Sequence, residues 1–425
     1  MAAKKAPKVD AIVEPSKAER IQGVMDLINK RSKGTVQIKP ANQYIQPYMT
    51  KRIPTGLLSL DVELRGGFPC GGISQIAGPK NSGKSYLCWQ MVRQLQAMLG
   101  DKMSVLLAMT EMRADKQQAK LAGVKIAFAD ADIASMNRAR LKSGMPEYTP
   151  DEVEFLKEQV GEIEEMHGES AEALFDGVLT AVESNAFHLI IIDSFGSIMS
   201  AAESEADSLS QKTYGGSAAV TSQFLRKLTS LLTMDDQYGT ARDVCVIGIN
   251  QIRDAIGDPH KEFRSPGGRA LEHAKFVDLF VSSGAQRADE GVKVFTPNGI
   301  KDKFVQYGKD VNWRIEKGKA GIHEGGKGAY IYDFRTNQAD FVLDTLVAGV
   351  NANVIETSGA WITIPNPSGG DPLLKICGKD AFVDALNQDA KKAAEDGQYD
   401  NSLMMYVRKK VFEHHGIDIS YEWSG

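Results

Sequence analysis

Gly78-Pro-Lys-Asn-Ser-Gly-Lys84-Ser85 satisfies the pattern G-x-x-x-x-G-K-[ST] in full. An apolar run, Ile73-Ser-Gln-Ile-Ala77, leads into it, and a helical run beginning Tyr86-Leu-Cys-Trp-Gln follows. That strand-turn-helix setting is what separates a phosphate-binding loop from a chance loop of similar composition. Successive backbone N–H groups at such a turn converge on one point, and the helix start adds positive potential there. Lys84 is expected to reach the β- and γ-phosphates of a nucleotide and Ser85 to hold Mg²⁺. Gly78, Pro79, Lys80, Asn81, Ser82, Gly83 and Tyr86 complete the expected cradle.

Outward from this loop, apolar runs alternate with helical segments from Ile53 to about Asp333. Ser104-Val-Leu-Leu-Ala-Met-Thr110, Phe187-His-Leu-Ile-Ile-Ile-Asp193 and Val244-Cys-Val-Ile-Gly-Ile-Asn250 join Ile73–Ala77 as buried strands of an α/β fold with a mostly parallel sheet. Such sheets carry their ligands at the carboxyl ends of the strands. Asp193 ends one strand, where a carboxylate can order the metal and its waters, although strand-end acids also serve as simple caps. Glu111 follows another and can polarise an attacking water. Asn250-Gln251 closes a third, where a neutral amide can bond the γ-phosphate and report its loss.

The chain has 425 residues, 42% hydrophobic and 25% charged, with a formal charge of −5. This is enough for one large core with smaller units, and it argues against coating nucleic acid by bulk charge. Cys70, Cys88, Cys245 and Cys377 form no C-x-x-C pair and are expected to be buried thiols in a reducing compartment. No stretch approaches the roughly 20 apolar residues of a membrane span, and the start lacks the apolar region of a secretion signal. A cytoplasmic chain without membrane contact is the expectation.

Three regions are expected. Residues 1–50 hold a helix opened by the capping box Ser16/Glu19, with Ile21, Val24, Met25 and Ile28 on one face, and a polar linker. Packing of that face on its own domain is favoured over packing on a neighbouring subunit. Residues 51–333 form the core. An acidic helical insertion begins at Thr149-Pro150, with Val153, Leu156, Val160 and Ile163 as its apolar stripe. Residues 334–425, with a Pro/Gly-rich loop at 365–370 and scattered lysines, read as a small α+β domain.

Ile53-Pro-Thr-Gly-Leu-Leu-Ser-Leu-Asp61, Gly78 to Ser85, Asn250-Gln-Ile-Arg253, Gly267-Gly268-Arg-Ala-Leu271 and the Gly349 to Trp361 segment occur in the order of signature segments in bacterial and phage RecA. The chain resembles that family over most of its length. The resemblance implies a P-loop ATPase core with a short N-terminal polymerisation helix and a small C-terminal domain. It implies ATP and Mg²⁺ as ligands, and a helical filament on single-stranded DNA that catalyses homologous pairing with double-stranded DNA and strand exchange. A loader or single-strand-binding protein is a further expected partner. Glu111 falls on the family's water-activating glutamate, Gln251 on its γ-phosphate sensor and Asp115 among its nucleotide contacts. Residues 202–216 and 252–266 resemble the two DNA-binding loops, with Ile256 at the tip that separates base triplets. Arg226, Arg253, Gly267, Gly268 and Arg269 match positions on the DNA backbone, although Arg226 also reads as a helix-surface arginine. Lys317 and Lys319 match a pair that reaches the ATP of the adjacent subunit, against the plain reading of a solvated strand edge.

There are departures. Gln118 stands where the family has an aromatic on adenine, segments around 146–166 and 288–310 are extra, and the end at Trp423-Ser-Gly425 lacks an acidic tail, so that restraint on DNA binding is expected to be missing. A hexameric translocase on the same fold and a non-catalytic recombination scaffold remain the alternatives. Glu111→Gln is expected to keep ATP and DNA binding while slowing hydrolysis by about 10²–10⁴, since the amide fills the same space but is a far weaker base. Unchanged turnover in a phosphate-release assay would remove Glu111 from the chemistry.

Overall fold

A computed structural model of the chain describes residues 16–33, 36, 38, 40–44, 47–110, 114–195, 216–236, 240–254, 263–264, 268–297 and 299–418. The chain parts into two units, Met1–Gln46 and Pro47–Gly425. The first carries helix α1 (Lys17–Ser32), opened by the expected capping box: the Ser16 hydroxyl accepts from Glu19 N, and the Glu19 carboxylate accepts from Ser16 N at 2.7 Å. No residue of α1 is buried, and Ile21, Val24 and Leu27 are all about half exposed.

The second unit is built on a nine-stranded sheet. Its strands are β1 (Gly72–Gly78), β2 (Ser104–Met109), β3 (Glu162–His167), β4 (Leu189–Asp193), β5 (Cys245–Gln251), β6 (Val277–Thr296), β7 (Gly299–Gly318), β8 (Lys327–Asp333) and β9 (Gln338–Ala339). The spatial order is β9-β8-β7-β6-β1-β5-β4-β2-β3. Pairings from β6 across to β3 are parallel and those from β6 out to β9 antiparallel. The sequence-read strands are present with ends moved by one or two residues.

Both faces of the parallel part are covered, as unbroken runs such as Leu-Ile-Ile-Ile require. Alternation sends Ile76, Leu107, Ile191 and Ile247 to one face, against Leu87, Met91 and Leu95 of helix α3 (Lys84–Leu99). Ile73, Leu106, Ile190, Ile192 and Val246 go to the other, against Phe175 of helix α7 (Ala171–Ser184) and Phe224 of helix α8 (Gly216–Leu232). Phe175 and Phe224 stack with ring centroids 4.2 Å apart.

Two expectations are corrected, and one extra segment for which none was set takes a definite form. First, between α3 and α7 stand helices α4 (Lys116–Leu121), α5 (Asp130–Lys142) and α6 (Pro150–Lys157). The capping box at Thr149 and Glu152 opens α6 as expected, but α6 stops at Lys157, so Val153, Leu156, Val160 and Ile163 do not share a helical face. Gln96 Nε2 donates to Val160 O at 2.9 Å, Gly161 turns the chain at φ +68, and Ile163 enters β3 because β2 offers it a parallel ladder. Second, the extra segment near 288–310 extends β6 and β7 into a two-stranded ribbon. Third, Cys377 is exposed, on the outer side of a short antiparallel sheet, whereas the other three cysteines are buried.

The remaining helices are α2 (Leu58–Glu63), α9 (Gly268–Ala274), α10 (Phe341–Asn351), α11 (Lys379–Glu395) and α12 (Leu403–His414). A third apolar cluster joins Leu346, Phe382 and Val407 of α10, α11 and α12 to Leu58 of α2. Polar groups fix this contact. Asp344 bonds Ser59 through its hydroxyl and backbone N–H, and Arg408 donates to Gly56 O at 3.0 Å. Asp61, wholly buried, accepts from Thr55 N at 2.7 Å, Thr55 Oγ1 at 2.8 Å and Gly56 N at 3.0 Å. Burial pushes its carboxyl up to about 7, against the pull of Thr55 and Arg408. Because the folded chain binds this proton more tightly than the unfolded one, the contribution is complete below the ordinary value of 3.8 and is lost as pH rises through about 7. In urea melts from about pH 5 to about pH 8, the stability of Asp61→Asn is therefore expected to fall less with rising pH than that of the wild type. Parallel pH profiles would show that Asp61 carries no buried proton.

Candidate nucleotide and DNA site

The quoted loop joins β1 to α3. Asn81 and Gly83 take left-handed backbone angles, φ +59 and +99, which swing the chain round so that α3 starts at Lys84. Lys84 is buried and donates through Nζ to Gly78 O at 3.0 Å and Pro79 O at 2.5 Å. Burial pushes its ammonium pKa down, and the nearby Asp193 carboxylate works against that shift. Inside the loop the Ser82 hydroxyl is buried without a hydrogen-bond partner among the described residues. An orphaned donor beside a helix N-terminus and a buried cation fits a polyphosphate.

Strand register brings the other groups to the same edge. Gly78 pairs with Gln251, Ile249 with Asp193, and Asp193 with Met109. Thr110 N donates to Asp193 O at 2.8 Å, so β2 and β4 leave the sheet together. A cavity of about 280 Å³ is lined by Ser85, Asp193, Asp115, Gln118, Cys88 and Trp89 among others. Ser85 and Asp193 both line it, a hydroxyl and a carboxylate of the kind that could hold a magnesium ion. Asp115 caps α4 by accepting from Gln118 N at 2.9 Å, which sets both side chains at the cavity wall. Gln251 is exposed, whereas Asn250, one residue earlier and on the opposite side of the strand, is buried and donates to Gln75 Oε1 at 3.3 Å. Glu111 lies outside the described residues.

The DNA-side positions divide. Arg226 is exposed on α8, opposite the face that buries Phe224 and Leu228. Arg253 begins a two-residue antiparallel ladder with Arg264, with Asp254 opposite Phe263, which closes the stem of the second loop directly after β5. Gly268 and Arg269 open α9. Ile256, Gly267 and most of both loops lie outside the described residues. Lys317 and Lys319 do reach one place: Lys317 donates to Glu272 O and Lys319 to His273 O at 3.0 Å, at the C-terminal end of α9. β7, which carries Lys317, lies between β6 and β8 and is not an edge strand. Burial, then repulsion from Lys319 and Lys275, holds the Lys317 ammonium below its ordinary value.

The family model described as the RecA N-terminal domain matches residues 162–306, the span from β3 through both loop regions into the ribbon. Protein RecA of Bdellovibrio bacteriovorus is 29% identical over 422 residues, 96% of this chain and 89% of its own length. Protein RecA of Thermus aquaticus is 28% identical over 363 residues, 85% of this chain and 84% of its own. Over most of its length the chain is similar to these proteins. The Gly78–Ser85 loop lies N-terminal to the span matched by the family model, so the strand-end geometry above stands apart from that match.

One contact of this site has no signal in the sequence. Lys309, on β7 within the extra segment, donates through Nζ to Asn81 O at 2.6 Å and to Ser283 Oγ at 3.1 Å. It holds the left-handed corner of the P-loop from 228 residues away. Burial pushes its pKa down. A lysine in a charged segment ordinarily reads as a solvated side chain, and only the register of the ribbon reveals it. Since a hydrogen bond from a charged group contributes about 1.5–3 kcal/mol, Lys309→Met is expected to weaken nucleotide binding by about tenfold with the fold intact. Titration with a fluorescent nucleotide reads this, and an unchanged Kd would make Lys309 a bystander.

Proposed function

We propose that this chain is a DNA-dependent ATPase that polymerises on single-stranded DNA and catalyses homologous pairing and strand exchange. The observation that carries the reading is the course of β5. Its last residue, Gln251, sits beside Gly78 of the P-loop, and Arg253, two residues on, begins the stem of the second DNA loop. In this reading a side chain that would meet the γ-phosphate is joined to the stem of a DNA-contacting loop through one intervening residue, Ile252, the economy expected where nucleotide state sets DNA affinity.

In this reading Lys84 and the loop N–H groups hold the β- and γ-phosphates. Ser85 and Asp193 hold Mg²⁺, which would neutralise charge on the phosphate oxygens. Glu111 accepts a proton from the attacking water, and Gln251 bonds the γ-phosphate and releases the loop stem after cleavage. Arg226, Arg253, Gly267, Gly268 and Arg269 track the DNA backbone, which makes binding sequence-tolerant and salt-sensitive, and Ile256 enters between base triplets. The half-exposed apolar face of α1 is the surface by which one subunit engages the next.

Lys317 and Lys319 stabilise the transition state on the adjacent subunit's ATP, as an arginine finger does in trans. Both already lie together at the end of α9, poised to exchange carbonyl oxygens for phosphate. The double variant Lys317→Ala with Lys319→Ala is expected to fold and bind nucleotide but to lose DNA-stimulated hydrolysis and the extended filament seen by electron microscopy. Mixed with Lys84→Ala subunits it is expected to regain part of the turnover, at interfaces that join an intact P-loop to intact lysines. Normal hydrolysis by the double variant alone would end the trans role, and closed rings on DNA would favour a translocase.

A further inference from the structure

Three buried polar side chains cross the sheet where apolar ones would pack as well. Gln75 in the middle of β1 and Asn250 near the end of β5 are fully buried, and Lys275, in the turn that follows α9, is 5% exposed. Asp278 of β6 joins them. Lys275 Nζ donates to Asp278 Oδ2, Gln75 Nε2 donates to Asp278 Oδ1 at 2.9 Å, and Asn250 Nδ2 donates to Gln75 Oε1 at 3.3 Å. Register makes this geometry available: Asp278 is the direct parallel partner of Gln75, and Gly248, opposite Gln75 on β5, has no side chain to block the reach of Asn250.

The direction of this path is fixed by chemistry. A carboxylate only accepts, so Asp278 accepts a hydrogen bond from Lys275 on one oxygen and from the Gln75 amide on the other. The Gln75 carbonyl must then face Asn250. Neither amide in the path can flip alone without setting acceptor against acceptor or donor against donor.

Each end of the path touches a different function. Asn250 precedes Gln251, which faces the P-loop. Lys275 donates its backbone N–H to Leu271 O at 3.1 Å and so belongs to the last turn of α9, whose first residues, Gly268 and Arg269, follow the second DNA loop. Lys317 and Lys319 hold carbonyls in that same turn. Replacing buried polar groups by apolar ones of similar shape is often neutral or stabilising, so stability alone does not account for this set.

Resting on the recombinase reading above, we infer that Gln75 and Asp278 are positioning residues that lock Asn250 to Lys275, so that nucleotide state at Gln251 and the seat of the DNA-binding helix α9 change together within one subunit.

The test is an acid–amide exchange. Asp278→Asn sets an amide donor against either Lys275 or Gln75, and Gln75→Glu sets two carboxylates face to face. The double variant Gln75→Glu with Asp278→Asn restores every donor–acceptor pair and the net charge. The readout is the ratio of Kd for a labelled single-stranded oligonucleotide in ADP to that in a slowly hydrolysed ATP analogue, with nucleotide Kd and thermal melting alongside. Each single variant is expected to shrink the ratio by about fivefold or more, the scale of a typical coupling. The double variant is expected to recover it. A large wild-type ratio that survives in both single variants overturns the relay and leaves the recombinase reading standing. A folded double variant without the ratio also overturns the relay, even if the single variants fail to fold. A wild-type ratio near unity overturns both.

Discussion

Gly78 has room for a hydrogen and nothing larger. A Cβ there would stand 2.0 Å from the Val281 carbonyl oxygen, so β1 and β6 meet through backbone alone at the point where the phosphate-binding loop begins. That contact sets where the loop leaves the sheet, and the rest of the site is arranged about it. On the other side β5 brings Gln251 against the same residue, and β4 and β2 bring Asp193 and Thr110 to the same edge. The groups at the nucleotide edge come from segments far apart in the chain, and only close packing of parallel strands, each about 4.8 Å from the next, makes them neighbours.

Positive charge gathers where the loop regions return to the sheet. Lys275, Lys317 and Lys319 crowd the C-terminal end of α9, where backbone carbonyls carry partial negative charge. Three cations around one helix end repel one another, and burial first, then that repulsion, lowers the Lys317 ammonium pKa. Asp278 offsets this by binding Lys275, and His273 and Glu272 lend carbonyl oxygens to the other two. Such a cluster is held by modest forces. A phosphate brought near by a second subunit would compete directly with those carbonyls, which is the physical basis of the role proposed for the lysine pair.

The C-terminal helices are held to the core by a different balance. Asp61 and Asp344 are both buried, both pushed upward by that burial, and both within the influence of Arg408. Each accepts hydrogen bonds from the Thr55–Ser59 stretch. In the segment Ile53–Asp61, Thr55, Gly56 and Asp61 form a closed hydrogen-bonded turn against which the C-terminal helices pack.

The α/β class, the order of the strands' sequences, the phosphate loop, the acid at 193 and the amide at 251 were legible without coordinates. Each is a local pattern: an unbroken apolar run, a glycine turn, a polar residue where the run stops. The capping box at Ser16 was legible for the same reason, since its bonds span three residues. The apolar stripe through Ile163 misled because helical and strand periods agree over short runs, and the choice fell to Gly161 and to the partner strand β2. Lys309 on Asn81, Gln75 between Asp278 and Asn250, and the lysines at the end of α9 left no mark on the sequence. They depend on strand order and register, which place residues 45 to 228 positions apart within hydrogen-bond reach. A chain's own periodicity carries no information about which neighbour each strand will find.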